Sequence, residues 1–530
     1  MLCTRSKFHL LLSYDKKMPS TTENKIIYGL KLDWLTARFN THRSTILIIV
    51  LSLIISGIFL SSGGSIFAVV AIIFLVLAVM ITLYRVDWGF ILFIGMVLIF
   101  DQFPPRGYGI TIIGTEYFGN LKSLPLFSKI DAAVLNPLEL QLLLIGTVWI
   151  VMIVLGKNVQ LNRVPVWFTA LLFFGWLIIS AIYGLARGGD FLPALWELRA
   201  LFYMGVIYFF IPQIIQSREQ LRLLIWVVIG ALAFKAMQGG IRAVRLGFSF
   251  GSRTELTNHE DPLFFVSLFI LLFGMILFRS DDKQKKILYW LLLPMLGIFI
   301  LSQRRATYAA LGFSLITFMI LLPKIQRAKL LKKMFPVAIA GVLYLAIFWN
   351  SESSIALPAQ LVKSSISSDH ETAGDRYYSN LYRDFENYNL AQTVKRSPVI
   401  GIGFGNKYDQ PIALPKIPFP LRDYIPHNEI YWLIVKMGVI GFFLFWLFIN
   451  SYVMSATYTF MRLKDPYLKA ICAVAIIAIV GQIVVSFVDL QLTFYRNMVY
   501  LGMIMGLLST IERLDTTESS TKILKQLSDK

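Results

Sequence analysis

A chain of 530 residues that is 56% hydrophobic and 14% aromatic, with a mean hydropathy of +0.66, is too apolar for a soluble domain. Its apolar residues come in runs near the roughly 20 that a helix needs to cross hydrocarbon, without the alternation of an outer-membrane barrel. The formal net charge of +19 reads as basic cytoplasmic loops rather than nucleic-acid binding, and the two cysteines, Cys3 and Cys472, make no disulfide framework.

Residues 1–43 form a polar, basic tail without the apolar core of a cleaved signal peptide. Two readings are open for 26–39: an amphipathic helix on the membrane, using Ile26, Ile27, Leu30, Trp34 and Leu35, or a disordered tail. Apolar runs follow at 44–62, 65–84, 89–101, 137–155, 166–186, 200–216, 222–240, 262–278, 287–302, 306–322 and 335–349, a membrane region spanning 44–349. Three more, at 429–455, 467–488 and 496–510, lie within a C-terminal membrane region, 429–510, that precedes a tail at 511–530. The pattern predicts an all-α polytopic bundle of about 12–14 transmembrane helices.

With the N-terminus in the cytoplasm, the inner side collects Arg85, Lys157, Arg163, Arg218, Arg222, Arg279, Lys283, Lys285 and Lys286. It also collects Lys324, Arg327, Lys329, Lys332, Lys333, Arg462, Lys464, Lys522 and Lys525, as the positive-inside rule expects. The outer loops are then 102–136, 187–199, 241–261, the turn 303–305 and the long loop 350–428. Ser351–Ser368 of that long loop is Ser-rich and reads as flexible. From Asp375, a plausible cap, Tyr378, Leu381, Tyr382, Phe385, Tyr388 and Val394 recur at helical spacing as far as Arg396, and Ser397-Pro398 stops the pattern. This predicts an amphipathic helix lying on the outer membrane face. No internal repeat is obvious, which weighs against transporters built from paired halves.

Among five histidines, His9 and His42 fall in the inner tail, and His259, His370 and His427 outside. His427 alone sits at a helix entrance, in reach of both water and lipid headgroups, as His427-Asn428-x9-Gly438-x2-Gly441. A histidine there can move a proton near neutral pH, although anchoring or capping is the commoner use of such a residue. Arg199, Arg304, Arg305 and Arg376 stand at outer helix ends, where the positive-inside rule does not call for them; a guanidinium fork suits phosphate oxygens, and a single one could equally snorkel to a headgroup. Gly401, Gly403 and Gly405 alternate in a loop that could approach a ligand closely. His259-Glu260-Asp261 reads as a loop rather than a metal site, and no nucleotide, hydrolase or zinc-protease motif occurs. Lys235 lies near enough to the outer end of its span to snorkel, and Lys436 falls on the opposite side of its helix from His427 with its role open.

Together these residues resemble the bacterial O-antigen ligase and O-antigen polymerase superfamily. His427-Asn428-x9-Gly438-x2-Gly441 fits its His-[Asn/Ser/Gln]-x9-Gly-x2-[Gly/Thr/Tyr] pattern at every specified position. Gly374-Asp375-Arg376, a helix, Pro398 and Gly401-x-Gly403-x-Gly405 resemble a second feature, with Asp375 interrupting the usual Gly-Arg. Ser302-Gln303-Arg304-Arg305 resembles the family's Ser-Arg turn, and Arg199 its earlier outer arginine. The resemblance covers about 190–445 in detail. It implies a fold related to the GT-C glycosyltransferases and a metal-independent, cofactor-free transfer at the periplasmic face of the inner membrane. The implied donor is a glycan on undecaprenyl diphosphate, and the acceptor a sugar hydroxyl on lipid A–core or on another lipid-linked repeat. On this reading His427 is the general base, Arg199, Arg304, Arg305 and Arg376 hold the diphosphate, and Tyr378 and Tyr382 either stack on sugar or anchor in the membrane. Two alternatives stay open: a transporter or flippase for lipid-linked glycan, and an inactive scaffold.

Overall fold

Local signals start several helices cleanly. Asn136 and Glu139 form a reciprocal capping box, Ser217 and Gln220 form another, and the Asp465 carboxylate accepts from the N–H groups of Tyr467 and Leu468. The structure is a computed structural model describing residues 49–50, 52–53, 56, 66–103, 117–123, 134–156, 161–248, 256–280, 282–351, 353–366, 375–417 and 419–528. The expected basic tail, most of the span at 44–62, His370, Gly374 and the side chain of Arg376 lie outside the described residues.

Fifteen α-helices are described: α1 Ile66–Tyr84, α2 Val86–Ile99, α3 Pro137–Val154, α4 Trp167–Ala186, α5 Phe191–Ile214, α6 Arg218–Arg245, α7 Asp261–Leu277, α8 Lys283–Leu301, α9 Arg305–Leu321, α10 Lys324–Phe348, α11 Leu357–Ile366, α12 Asp375–Arg396, α13 Glu429–Arg462, α14 Pro466–Ser486 and α15 Tyr495–Ser528. No strand occurs among the described residues. Eight of these helices are long and apolar enough to cross a membrane, and α2, α7 and α9 are shorter apolar helices packed among them. The protein is therefore a multi-pass, all-α membrane protein.

Contacts between connecting segments sort them into two ends. At one end Arg218 pairs with Asp465 at 2.8 Å, Gln220 donates to Asp87 at 2.9 Å, and Tyr467 donates to Gln284 at 2.8 Å. At the other, Asp190 N–H donates to Gly405 at 2.8 Å, Tyr495 N–H to Gln102 at 2.9 Å, and Arg305 to Asn380 at 3.0 Å. The first end carries the basic clusters and the second carries His427, the alternation that charge counting requires.

Some boundaries differ from the expected ones. Helix α10 begins at Lys324 rather than 335, so its basic residues sit on the helix, where long stems can run along apolar surface. Its apolar side chains, Phe335, Val342 and Ile347 among them, are turned outward and need lipid to cover them. Helix α12 has the expected bounds, Asp375–Arg396. Its buried side chains are Glu386, Asn389, Leu390 and Thr393, while Tyr378 is 62% exposed and Tyr388 is also exposed. The face carrying Glu386, Asn389 and Thr393 docks on the protein, with Leu390 packed against Tyr408 and Val435, while Tyr378, Phe385 and Tyr388 point away.

Beneath the end that carries His427, three helix ends and the body of α6 meet around buried charge. Arg496, at the start of α15, reaches Asp261 at 2.6 Å, Asp101 at 3.4 Å and Glu260 at 3.5 Å, and donates to the carbonyls of Val97 and Leu98. Lys235 of α6 bonds both oxygens of Asp101, at 2.6 and 2.7 Å, and is buried. That corrects the snorkelling expected of Lys235: a carboxylate within the bundle supplies a nearer partner than the interface does. The His259-Glu260-Asp261 segment joins this network as the loop and first turn that open α7.

Candidate functional site

The site is built where α12 crosses the entrance of α13. Asn428 caps α13, its side chain accepting from Tyr431 N–H at 3.0 Å and donating to Asn387 at 3.1 Å. His427 therefore stands one residue before a fixed helix start, 24% exposed at its side chain. Its Nδ1 lies 3.2 and 3.3 Å from the two oxygens of Glu386, and its backbone N–H donates to the same carboxylate at 2.9 Å. Tyr382 packs edge-on to the imidazole with ring centroids 5.5 Å apart. The Tyr382 hydroxyl is buried without a hydrogen-bond partner, and burial with the neighbouring Glu386 pushes its pKa up to about 12, so it stays a neutral donor.

The same helix gathers basic groups. Asn380 accepts from Arg305, and Arg383 donates to the Val488 carbonyl at 3.0 Å. Asn380, Arg383 and Glu386 fall three residues apart on one face, so the anchors of Arg305 and His427 are separated by about 9 Å along the axis. Behind them Asp489 faces His259 at 3.5 Å. Burial acts to raise the Asp489 pKa, but bonding to His259 and the charges of His259, Arg304 and Arg383 hold it well below the usual carboxylate range. Arg305 and His427 are thus both tied to α12, and Arg304 and Arg383 both act on Asp489. Gln303, just before Arg304, takes an uncommon left-handed conformation, φ 54°, with both polar atoms of its amide buried and unpartnered.

Arg199 is placed elsewhere. It is buried on α5, paired with Glu139 at 3.1 Å, donating to Asn120 at 2.6 Å and to Val134, with its guanidinium over Trp196. Arg376 belongs to the first turn of α12.

The glycines explain how α13 is held. Gly438 breaks the helix at φ 64°, ψ −172°, a region open to glycine alone. The carbonyls stranded by the break are all answered: Val435 accepts from Ile402 N–H at 2.9 Å, Lys436 from Gly403 N–H at 3.0 Å and Ser180 at 2.9 Å, and Met437 from Trp176 at 3.1 Å. Gly401 and Gly438 pack backbone to backbone, as do Gly403 and Gly184, and Gly441 lies against Trp176. Lys436, whose role the sequence left open, is buried and paired with Glu197 at 2.6 Å; Glu197 also accepts from Gly405 N–H at 2.7 Å and Trp432 at 3.2 Å. One carboxylate thus ties α5, the glycine loop and α13 together below His427. Gly438→Ala places a Cβ 2.2 Å from the Val399 carbonyl oxygen. It is expected to cost at least about 1–3 kcal/mol, seen as a lowered thermal midpoint of the solubilised protein.

Sequence reasoning missed Glu386, Arg383, Glu197 and Asp489. The usable signal was the recurrence of Asn380, Arg383, Glu386 and Asn387 at helical spacing opposite the aromatics. Residues 290–446 match a family model described as O-Antigen ligase (Wzy_C), a segment holding Arg304, Arg305, α12, the glycine loop and the His427–Gly441 motif. No curated protein matches the chain.

Proposed function

We propose that this chain, whose residues 290–446 carry an O-antigen ligase family domain, is a glycosyltransferase of ligase or polymerase type. It moves a glycan from undecaprenyl diphosphate to a sugar hydroxyl at the periplasmic face of the bacterial inner membrane. The observation that carries this reading is the partly exposed imidazole of His427, backed by a buried carboxylate on α12, the helix that also meets Arg305 and carries Arg383. His427 takes the acceptor proton at Nε2 as the hydroxyl oxygen bonds to the anomeric carbon. The bond from that carbon to the diphosphate oxygen breaks, and its electron pair leaves with the diphosphate, inverting the centre. A diphosphate leaves well once its growing charge is met, and Arg304, Arg305 and Arg383 are the groups for that task. Arg199 and Arg376 are the further basic residues that the resemblance assigns to the donor. Tyr382, edge-on to the imidazole, bounds the site on that side.

A second reading, transport of the lipid-linked glycan, has two observations in its favour: a discontinuous helix and charge buried in the bundle. In a transporter the broken ends face the cargo. Here Ile402, Gly403, Ser180 and Trp176 occupy the carbonyls of the break, which favours the enzyme.

Surface-glycan analysis of a deletion strain tests the reading. Full-length chains accumulating on undecaprenyl diphosphate indicate a ligase, loss of chain length indicates a polymerase, and an unchanged glycan profile overturns both. Arg305→Ala is expected to raise the KM for donor about 10–100-fold, the worth of one charge-assisted hydrogen bond. Unchanged donor dependence in both Arg305→Ala and Arg304→Ala would remove the clamp.

A further inference from the structure

We infer that Glu386 is a positioning residue that fixes which nitrogen of His427 accepts the proton, an inference resting on the glycan-transfer reading only for its kinetic consequence. The carboxylate holds the histidine twice, through the ring Nδ1 at 3.2 and 3.3 Å and through the backbone N–H at 2.9 Å. Its side chain is 2% exposed against 24% for His427, so Nδ1 is the ring's inner nitrogen. A carboxylate can only accept, so Nδ1 carries the hydrogen and the neutral ring keeps its lone pair on Nε2.

Helix α12 is braced to hold that geometry. Asn387 meets Asn428 at 3.1 Å, Asn389 bonds the Ile412 backbone at 2.8 and 3.0 Å, Thr393 accepts from Asp409 N–H at 2.9 Å, and Arg383 reaches Val488. The Tyr382 ring closes one side of the imidazole. When the acceptor proton arrives at Nε2, the imidazolium forms against an anion already in place, with no side chain required to move.

The rival use of Glu386 is purely structural, a cap on the His427 N–H. Glu386→Gln separates the two. Glutamine keeps the volume and an acceptor for that N–H, but loses the charge and can turn an amide donor toward Nδ1. The test is nitrogen NMR of the full-length protein, labelled with 15N-histidine and held in lipid nanodiscs without substrate, at a pH where the ring is neutral. His427→Gln identifies the His427 signals among the five histidines. The expected wild-type signal is the tautomer protonated at Nδ1, with Glu386→Gln moving population toward the Nε2-protonated form and Glu386→Asp restoring the wild-type tautomer in part. In transfer assays Glu386→Gln is expected to lower kcat about 10²–10⁴-fold while the donor KM stays nearly unchanged. A wild-type His427 protonated at Nε2, or a Glu386→Gln protein with wild-type tautomer and kcat, overturns the inference. Because the tautomer is read in resting protein, a chain that transfers no glycan yet shows the Nδ1-protonated ring fails the functional reading and leaves this assignment standing.

Discussion

Replacing His427 by alanine is expected to reduce glycan transfer about 10²–10⁴-fold while leaving the protein in the membrane at its normal level. The size follows from removing a general base whose substrate must shed a proton as it attacks. The stability of the variant follows from what it keeps. The backbone N–H can still donate to Glu386, Asn428 still caps α13, and the lost ring was partly exposed. Alanine also leaves the Glu386 side chain without its ring partner, so a modest fall in thermal midpoint is expected alongside the kinetic loss. Transfer assays and an immunoblot of the membrane fraction check this together; near-normal product in the variant would end the general-base role.

Arg496→Ala is expected to be the most destabilising single change, costing about 3–5 kcal/mol, with no contact to the proposed chemistry. Arg496 is fully buried and answers Asp261, Glu260 and Asp101 at once, with two further bonds to carbonyls at the C-terminal end of α2. Lys235 already serves Asp101 and lies 3.9 Å from Asp261, so it cannot replace a guanidinium that spans α2, α7 and α15. Deleting it leaves three buried carboxylates, Asp101, Glu260 and Asp261, with Lys235 as the cation beside Asp101 and Asp261. The measurement is the thermal midpoint and yield of the solubilised protein. Arg383→Ala, at a partly exposed surface, is the comparison expected to move the midpoint little.

The spans were legible because hydrocarbon imposes length and apolarity, signals that local sequence carries in full. The His427 motif was legible for a related reason. Its nine-residue gap encodes the first turns of α13 between an Asn cap and a Gly break, two requirements of backbone geometry. The partners of these residues were not legible. Glu386 looks like one acid among several on the solvent face of an amphipathic helix, and only the fold turns that face inward. Glu197 and Lys436 come from helices far apart in sequence, as do Asp101, Lys235, Asp261 and Arg496. Periodicity says that a side chain shares a face with others; it does not say what that face will meet. The same limit misled the reading of Lys235, whose partner lies on another helix end.

Bond-making at the end of the bundle that carries His427 is the central claim. The direct measurement is transfer by the purified protein in liposomes, supplied with a polyprenyl-diphosphate glycan and an acceptor glycan, the product linkage being read by NMR. The account predicts a new glycosidic bond of inverted configuration, formed by the wild-type protein and lost in His427→Ala. Movement of the lipid-linked glycan across the bilayer with no new bond, or product of retained configuration, would contradict it.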